Sequence, residues 1–248
     1  MAIEPGDGAK RRPQDAYRAR LVGEVEALRP SRLLEVGCGG GGFLRSVAHL
    51  DMGLVGVDPD EASLGSLGEE GFDVRQGRAE CLDFPDAAFD VAVFCFTAHH
   101  IEDWARALRE ALRVGGGNVV VLDPWYDLGV PSQCVAARFD RWCKVIDRAG
   151  GMVHQDPLDA GALLAPIADR LGEFDVRVEH LLSLQEFSVA ELEECARERL
   201  AVTRVDPAWR TDLDSILEAA RRDGFSDDGA ILLSVRESSR PKHISQPE

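Results

Sequence analysis

The stretch RLLEVGCGGGGF, residues 32 to 43, sets five glycines among the six positions from Gly37 to Gly42, directly behind an apolar run. A run such as Leu33-Leu34-Glu35-Val36 reads as a buried strand. Glycines that follow it let the chain turn through backbone conformations that side chains resist, and let N–H groups approach a ligand that any Cβ would hold off. Where a helix opens next, its N-terminus adds the positive end of a dipole. The stretch therefore constrains this part of the chain to a strand, a ligand-cradling turn and a helix.

The rest of the first half repeats that rhythm. RLLEVG, GLVGVD, FDVRQG, FDVAVFCF and NVVVLD read as strands, with helices through FLRSVAHL, near 60 to 70, and at 103 to 113. Such alternation marks a parallel sheet with crossover helices. The helix DWARALREALRV carries Trp104, Leu108 and Leu112 as an apolar stripe, with Arg106, Arg109, Glu110 and Arg113 facing away, and Gly115-Gly116-Gly117 closes it. Ahead of the first strand, residues 9–29 place Tyr17, Leu21, Val25 and Leu28 at helical spacing, with Pro30 as the stop.

Beyond Asp123 the pattern changes. Val135, Phe139, Trp142 and Ile146 predict one helix and residues 157 to 171 another, so 124–172 is expected to be a helical cap inserted before the strand FDVRVEHLL. Ser188 and Glu191 have capping-box spacing and open a helix carrying Val189, Leu192, Ala196 and Leu200. A further helix is expected at about 211 to 222, a last strand at 229 to 237, and a loose tail over 238–248. The expected whole is a single α/β domain. It has a Rossmann-like, doubly wound, seven-stranded sheet, mostly parallel with one antiparallel strand, and comprises 30–123, the cap, and the 173–237 part.

Charge narrows the partners. With 44 acidic against 28 basic residues among 248, a formal charge of −16 works against nucleic acid, whose affinity comes largely from Lys and Arg on phosphates. A neutral or cationic small molecule is the easier partner. No apolar stretch is long enough to span a bilayer and the start lacks a secretory signal, so no membrane contact and a cytoplasmic location are expected. Cys38, Cys81, Cys95, Cys134, Cys143 and Cys195 are scattered, with no Cys/His cluster at metal spacing, so the expectation is no disulfide framework and no metal. The run Asp206, Asp212, Asp214, Glu218 reads as a solvated face.

The glycine loop by itself leaves two readings open. Gly37, Gly39 and Gly42 fit the dinucleotide pattern G-x-G-x-x-G, with Asp58 at about the distance of a ribose-binding acid. The alternative spacing, Glu35-x-Gly37-x-Gly39-x-Gly41, resembles the opening signature of class I S-adenosylmethionine-dependent methyltransferases. Four further stretches resemble that family in order: GVDPD, GRAECLDFPDAAFD, FDVAVFCFTAHHIEDW and ALREALRVGGGNVVVLD. The likeness covers about 30 to 125 and is greatest to the small-molecule, type 11-like branch, in which an apolar-His-His turn, here Ala98-His99-His100, follows the fourth strand. Val114-Gly115 departs from the Lys-Pro or similar pair usual in that family.

What the resemblance implies is a bound S-adenosyl-L-methionine, leaving as S-adenosyl-L-homocysteine after methyl transfer to a small molecule. Gly37, Cys38, Gly39 and Gly41 would form the cradle under its methionine part, with Glu35 orienting the amino group. Asp58 would accept from both ribose hydroxyls, a task suited to two acceptor oxygens on a short stem. Pro59 would flank the adenine, Ala79 and Glu80 would meet its edge, and Cys95 and Phe96 would offer backbone oxygens to the methionine amine.

The acceptor side is less determined. His99 and His100 are the candidate bases, since an oxygen acceptor must lose a proton, and both follow a strand whose end faces the cofactor; His154 in the cap is a weaker one. Asp123, Trp125, Tyr126, Phe139 and Trp142 are candidates for a substrate pocket, though Phe139 and Trp142 also fit a core stripe. High Ala, Arg, Gly and Asp usage fits a GC-rich bacterial source, in which such enzymes tailor specialised metabolites. The rivals are a methyltransferase acting on RNA or protein, a nicotinamide or nucleotide-sugar oxidoreductase, and a cofactor-binding partner protein without turnover. A homodimer through the N-terminal helix or the cap is also open.

Overall fold

The structure, a computed structural model, describes residues 13–201 and 206–238. The first residues of the expected N-terminal helix, 9–12, and the expected tail beyond Ser238 lie outside the described residues.

The strands are β1 (Arg32–Val36), β2 (Gly53–Asp58), β3 (Asp73–Gln76), β4 (Val91–Cys95), β5 (Val119–Trp125), β6 (Phe174–Leu181) and β7 (Gly229–Glu237). They form one 7-stranded sheet in the order β3-β2-β1-β4-β5-β7-β6. The first five run parallel, and β7 is antiparallel to both β5 and β6. Leu34 of β1 registers with Val55 of β2 on one side and Ala92 of β4 on the other. The chain winds outward from β1 through β2 to β3, then returns to place β4 beside β1. That reversal opens a crevice at the strands' carboxyl ends, where open α/β sheets take their ligands.

Helices cover both faces: α1 (Pro13–Leu28), α2 (Gly42–Val47), α3 (Glu61–Glu69), α4 (Trp104–Val114), α5 (Pro131–Ala149), α6 (Ala160–Leu164), α7 (Val189–Ala201) and α8 (Pro207–Asp223). The stripe read from α4 is real, since Trp104, Leu108 and Leu112 are buried with Phe94 of β4 in one apolar cluster. On the opposite face Tyr17, Leu21 and Val25 of α1 pack with Phe43 of α2 and Leu33, Val93 and Val120 of the sheet. Each such side chain removed from water contributes about 1.5–3 kcal/mol before conformational entropy is counted.

Segments beyond β5 depart from expectation in local detail. The expected helix over 157 to 171 shortens to α6, capped by Asp159 through the Ala162 N–H at 2.7 Å, and continues as a 3-10 helix, Ala165–Glu173. Pro166 explains the break: it has no N–H to give and clashes with the preceding turn, and Ile167 leaves helical backbone. Helix α8 starts earlier than 211, because Asp206 caps the Ala208 N–H at 2.9 Å and Pro207 suits a first helical turn. The capping box at α7 forms as read: the Ser188 N–H donates to Glu191 Oε2 at 2.7 Å and the Glu191 N–H returns to Ser188 Oγ at 3.2 Å.

The cap is built from two stretches. Trp142 and Ile146 of α5 share an apolar cluster with Leu192 and Ala196 of α7 and with Ile216 and Leu217 of α8. Leu163 of α6 and Ile167 instead join the α4 side of the main core, where the Trp104 indole N–H donates to Leu163 O at 3.0 Å. Asp212, Asp214 and Glu218 of the acidic run are exposed on α8, as a solvated face requires.

Candidate active site

The turn after β1 takes left-handed backbone at Gly37 and Gly39, with φ of 74° and 45°. A Cβ built on Gly37 would overlap the Thr97 methyl, so this position admits no side chain while Thr97 stays in place. Around a Cβ built on Gly39, by contrast, there is open space within 4 Å. The two glycines thus serve different ends: Gly37 admits the close passage of the β4 end, and Gly39 leaves its surroundings clear. The Gly37 and Cys38 N–H groups both donate to Val57 O, at 2.7 and 3.1 Å, which pins the turn to β2.

Asp58, the last residue of β2, completes the turn. Its Oδ2 accepts from the Gly39 N–H at 2.7 Å and its Oδ1 from the Asp60 N–H at 2.9 Å. Each carboxylate oxygen has a further acceptor site, so Asp58 arrives oriented by two backbone donors and still able to receive two hydroxyls. On the other side of β1, Phe96, directly after β4, takes left-handed backbone with φ of 55°, its N–H bonded to Leu122 O at 2.7 Å. A non-glycine residue so held costs about 1–3 kcal/mol, a strain that concentrates at functional sites.

These ends enclose a cleft of about 610 Å³ lined by Gly37, Gly39, Asp58, Pro59, Ala79, Glu80 and Phe96, all expected cofactor residues, and by His100. Thr97, Ile101, Met152 and Val153 line it too. The sequence reading did not place these four in the site, nor Asp60, Ser63, Gly77 and Arg78, which line the cleft as well. Thr97 and Ile101 sit beside the His-His turn and were within reach of it, whereas Met152 and Val153 arrive from the cap with no local signal.

The remaining expected cofactor residues stand behind that lining. Glu35 is buried, and burial, reinforced by the Asp58 charge, pushes its carboxyl well above the usual carboxylate range against the Leu44 N–H and the Arg18 guanidinium. Its Oε2 has no hydrogen-bond partner. Cys38 turns into a small apolar cluster with Leu44, Leu64 and Leu67, where burial pushes its thiol up to about 12, so it contributes backbone and filling, not a nucleophile. Gly41 takes φ of 76° and abuts Leu67. Cys95 packs against the α1 side of the core.

Among the acceptor-side candidates the structure joins His99, His100, His154 and Asp123. His99 Nδ1 lies 2.8 Å from Asp123 Oδ1, both buried. His100 Nδ1 lies 3.0 Å from Val153 O, and His154 Nδ1 lies 2.8 Å from Asp147 Oδ2. The Gln155 N–H donates to His99 O at 2.6 Å, so the 153 to 155 loop is docked on the His-His turn. Burial, aided by the His99 charge, holds the His100 imidazole below its ordinary range, and burial pushes His154 down to about 4 despite its bond to Asp147.

The aromatic candidates lie elsewhere, outside the cleft lining. Trp125 stacks on His180 at 4.2 Å between ring centres. Phe139 and Trp142 stack at 5.6 Å within the α5, α7 and α8 cluster, and the Trp142 indole N–H donates to Trp209 O at 2.8 Å, so their stripe is core packing. Tyr126 is closed in near Asp140 and Asp228, its hydroxyl pushed well above the usual range chiefly by burial.

Residues 34–122 match the family model described as "Methyltransferase domain". Over 101 residues the chain is 30% identical to an uncharacterized methyltransferase, YcgJ, of Bacillus subtilis, the alignment covering 38% of this chain and 40% of that one. The YcgJ crystal structure superposes with a TM-score of 0.63 at 16% identity, covering 91% of this chain and 100% of the other. The ubiquinone biosynthesis O-methyltransferase of Azorhizobium caulinodans is 32% identical over 108 residues, 40% of this chain and 43% of its own. The structure of the cyclase SpnF matches with a TM-score of 0.60 at 25% identity, over 94% of this chain and 86% of that one.

The chain spans less than half the length of these curated relatives. Together with the sheet order and the glycine turn, the match places a methyltransferase domain over residues 34–122, in a fold shared with the YcgJ structure. Among the described residues no helix is long and apolar enough to cross a membrane.

Proposed function

We propose that this protein transfers a methyl group from S-adenosylmethionine to a small-molecule acceptor. The observation that carries the reading is one cleft lined both by the preoriented Asp58 and glycine turn and by His100. Its volume of about 610 Å³ suits a cofactor with a compact acceptor, since ligand pockets span about 300–1,000 Å³.

The residues fit the cofactor on their own chemistry. Asp58 would take the ribose hydroxyls on its spare acceptor sites, and the turn around Gly39 leaves space where a side chain would intrude. Pro59 and Ala79 offer apolar surface and Glu80 a polar edge for the base. When bound, the sulfonium supplies an electrophilic methyl group that needs only an aligned nucleophile. Holding two reactants in one cleft can account for much of such a rate, because alignment replaces a bimolecular encounter.

On the acceptor side the chain contributes His100. Its Nδ1 is committed to a backbone carbonyl, so the neutral ring carries its proton there and keeps the Nε2 lone pair for a proton leaving an oxygen acceptor. Thr97 Oγ1, 3.1 Å from Gly37 O and 3.2 Å from Cys95 O, ties the acceptor wall to the cofactor turn. The relatives include an O-methyltransferase and the ajmaline N-methyltransferase of Rauvolfia serpentina, so both oxygen and nitrogen acceptors belong in the test. Incubation with S-adenosylmethionine and a panel of hydroxylated and amine metabolites, read by mass spectrometry, tests this. A product heavier by one methyl group with matching S-adenosylhomocysteine supports it; an adenosyl-binding protein that turns over no acceptor contradicts it.

A further inference from the structure

We propose that His99, His100 and His154 form a binding site for a divalent transition metal, open to the cleft for an oxygen-donor acceptor. One ring nitrogen of each histidine lies within 4.8 Å of those of the other two. The ring centres are 4.2 Å apart for His99 and His100, 5.2 Å for His99 and His154, and 4.4 Å for His100 and His154.

The partners of the three rings make this more than a stack. Every Nδ1 faces an oxygen acceptor: Asp123 Oδ1 at 2.8 Å, Val153 O at 3.0 Å and Asp147 Oδ2 at 2.8 Å. A neutral imidazole bonded to an acceptor places its proton on that nitrogen, so all three rings present Nε2 as a lone pair. Three neighbouring rings with Nδ1 committed in this way keep Nε2 free to accept, and a cation is one partner that all three can share. Histidine ligands characteristically donate their other N–H to a carboxylate or a backbone carbonyl, which fixes the tautomer and raises ligand basicity. That is the arrangement of each ring here.

Charge and distance agree. Asp123 and Asp147 supply negative charge behind the rings, while Lys144, the buried ammonium nearby, is paired with Asp140 at 2.8 Å. Arg199 on Asp147 Oδ1 at 2.7 Å holds that carboxylate in place. Tetrahedral Zn–N bonds of about 2.0–2.1 Å put ligand nitrogens about 3.4 Å apart, so the cluster closes with movements of about 1.4 Å or less.

Three protein ligands leave a fourth position for water or an acceptor oxygen, the pattern of catalytic and not structural metal sites. Because His100 also lines the cleft, the acceptor class that fits is a hydroxylated oxygen donor, such as a catechol or an α-hydroxy ketone, one of its oxygens taking that fourth position. A hydroxyl ligated there gives up its proton to solvent more readily, and the His100 lone pair then serves the cation instead of that proton. The choice of acceptor rests on the proposed function; the metal site does not.

The test uses full-length protein stripped with a chelator and titrated with Co²⁺, whose visible absorption intensifies in tetrahedral nitrogen coordination, and with Zn²⁺ in competition. The expectation is one equivalent bound, Co²⁺ affinity lowered by about 100-fold or more in His100→Gln and His154→Gln, and by about 10- to 100-fold in Asp147→Asn, a positioning change. Melting curves verify that each variant is folded. No stoichiometric tetrahedral spectrum, or a spectrum indifferent to folded histidine variants, overturns the site. A catechol added to the Co²⁺-loaded protein should shift the spectrum; an unchanged spectrum overturns the acceptor class. S-adenosylhomocysteine binding, measured on the same preparation, fails independently if the methyltransferase reading is wrong.

Discussion

Replacing Asp58 with alanine removes a carboxylate that works in two directions. Inward, it holds the Gly39 and Asp60 N–H groups at 2.7 and 2.9 Å; outward, it is the residue placed to receive the ribose hydroxyls. Hydrogen bonds to a charged group contribute about 1.5–3 kcal/mol, so the variant should bind S-adenosylhomocysteine about 10- to 150-fold more weakly. A stability loss of about 1.5–3 kcal/mol is therefore expected, lowering Tm by about 3–12 °C for a chain of this size. Calorimetric titration gives the affinity and thermal melting the stability. Asp58→Asn, with one acceptor oxygen left, should fall between. A folded Asp58→Ala variant with a dissociation constant within about twofold of wild type would refute the ribose placement.

Other perturbations probe different links. Burial raises the pKa of the Glu35 carboxyl, so its stabilising contribution is complete below a pH of about 4.5 and is lost as pH rises through its raised folded value. Glu35→Gln, neutral throughout, should gain Tm relative to wild type as pH increases, and parallel Tm profiles would contradict the burial argument. Glu24 has the opposite sign: burial raises its pKa, but bonds to Arg236 and Ser234 and the nearby arginine charges win and lower it. Its stabilisation is present above a pH of about 4.5 and lost as pH falls, so Glu24→Gln should cost about 1–3 kcal/mol at neutral pH, the gap closing in acid. Gly37→Ala combines left-handed backbone with overlap on Thr97 and should cost about 1–3 kcal/mol or more; Thr97→Ser, which deletes the overlapping methyl, should recover part of it in the double variant. Additive losses would mean that the overlap is not the cause.

How much of this was legible in the sequence follows the range over which each signal acts. Strand β7 falls on the residues expected, 229 to 237, and the α4 stripe buries as its spacing requires, because periodicity reports directly which face meets the core. The turn and Asp58 were legible because both belong to one β-turn-α-β unit. Helix ends failed where one residue overrode the periodic pattern, Pro166 in the cap and the Asp206-Pro207 pair at α8. Phe139 and Trp142 show the deeper limit: their stripe is equally a pocket wall or a core, and only Trp209 and Ile216 arriving from α8 decide it. The histidine cluster was hidden for the same reason. His154 and the His-His turn meet through loop docking, which leaves no local spacing to read, so an expectation of no metal drawn from spacing along the chain could not take this meeting of three rings into account.

The most direct test of the central claim is a set of melting curves for the wild-type protein with S-adenosylmethionine, S-adenosylhomocysteine or NAD(P). A ligand at about 100 times its dissociation constant stabilises the fold by roughly 2.7 kcal/mol, which for a chain of this length raises Tm by about 5–11 °C. The account predicts a rise of that size with the two adenosyl ligands and none with NAD(P). A rise with NAD(P) alone would contradict it, and would return Asp58 and the glycine turn to a dinucleotide.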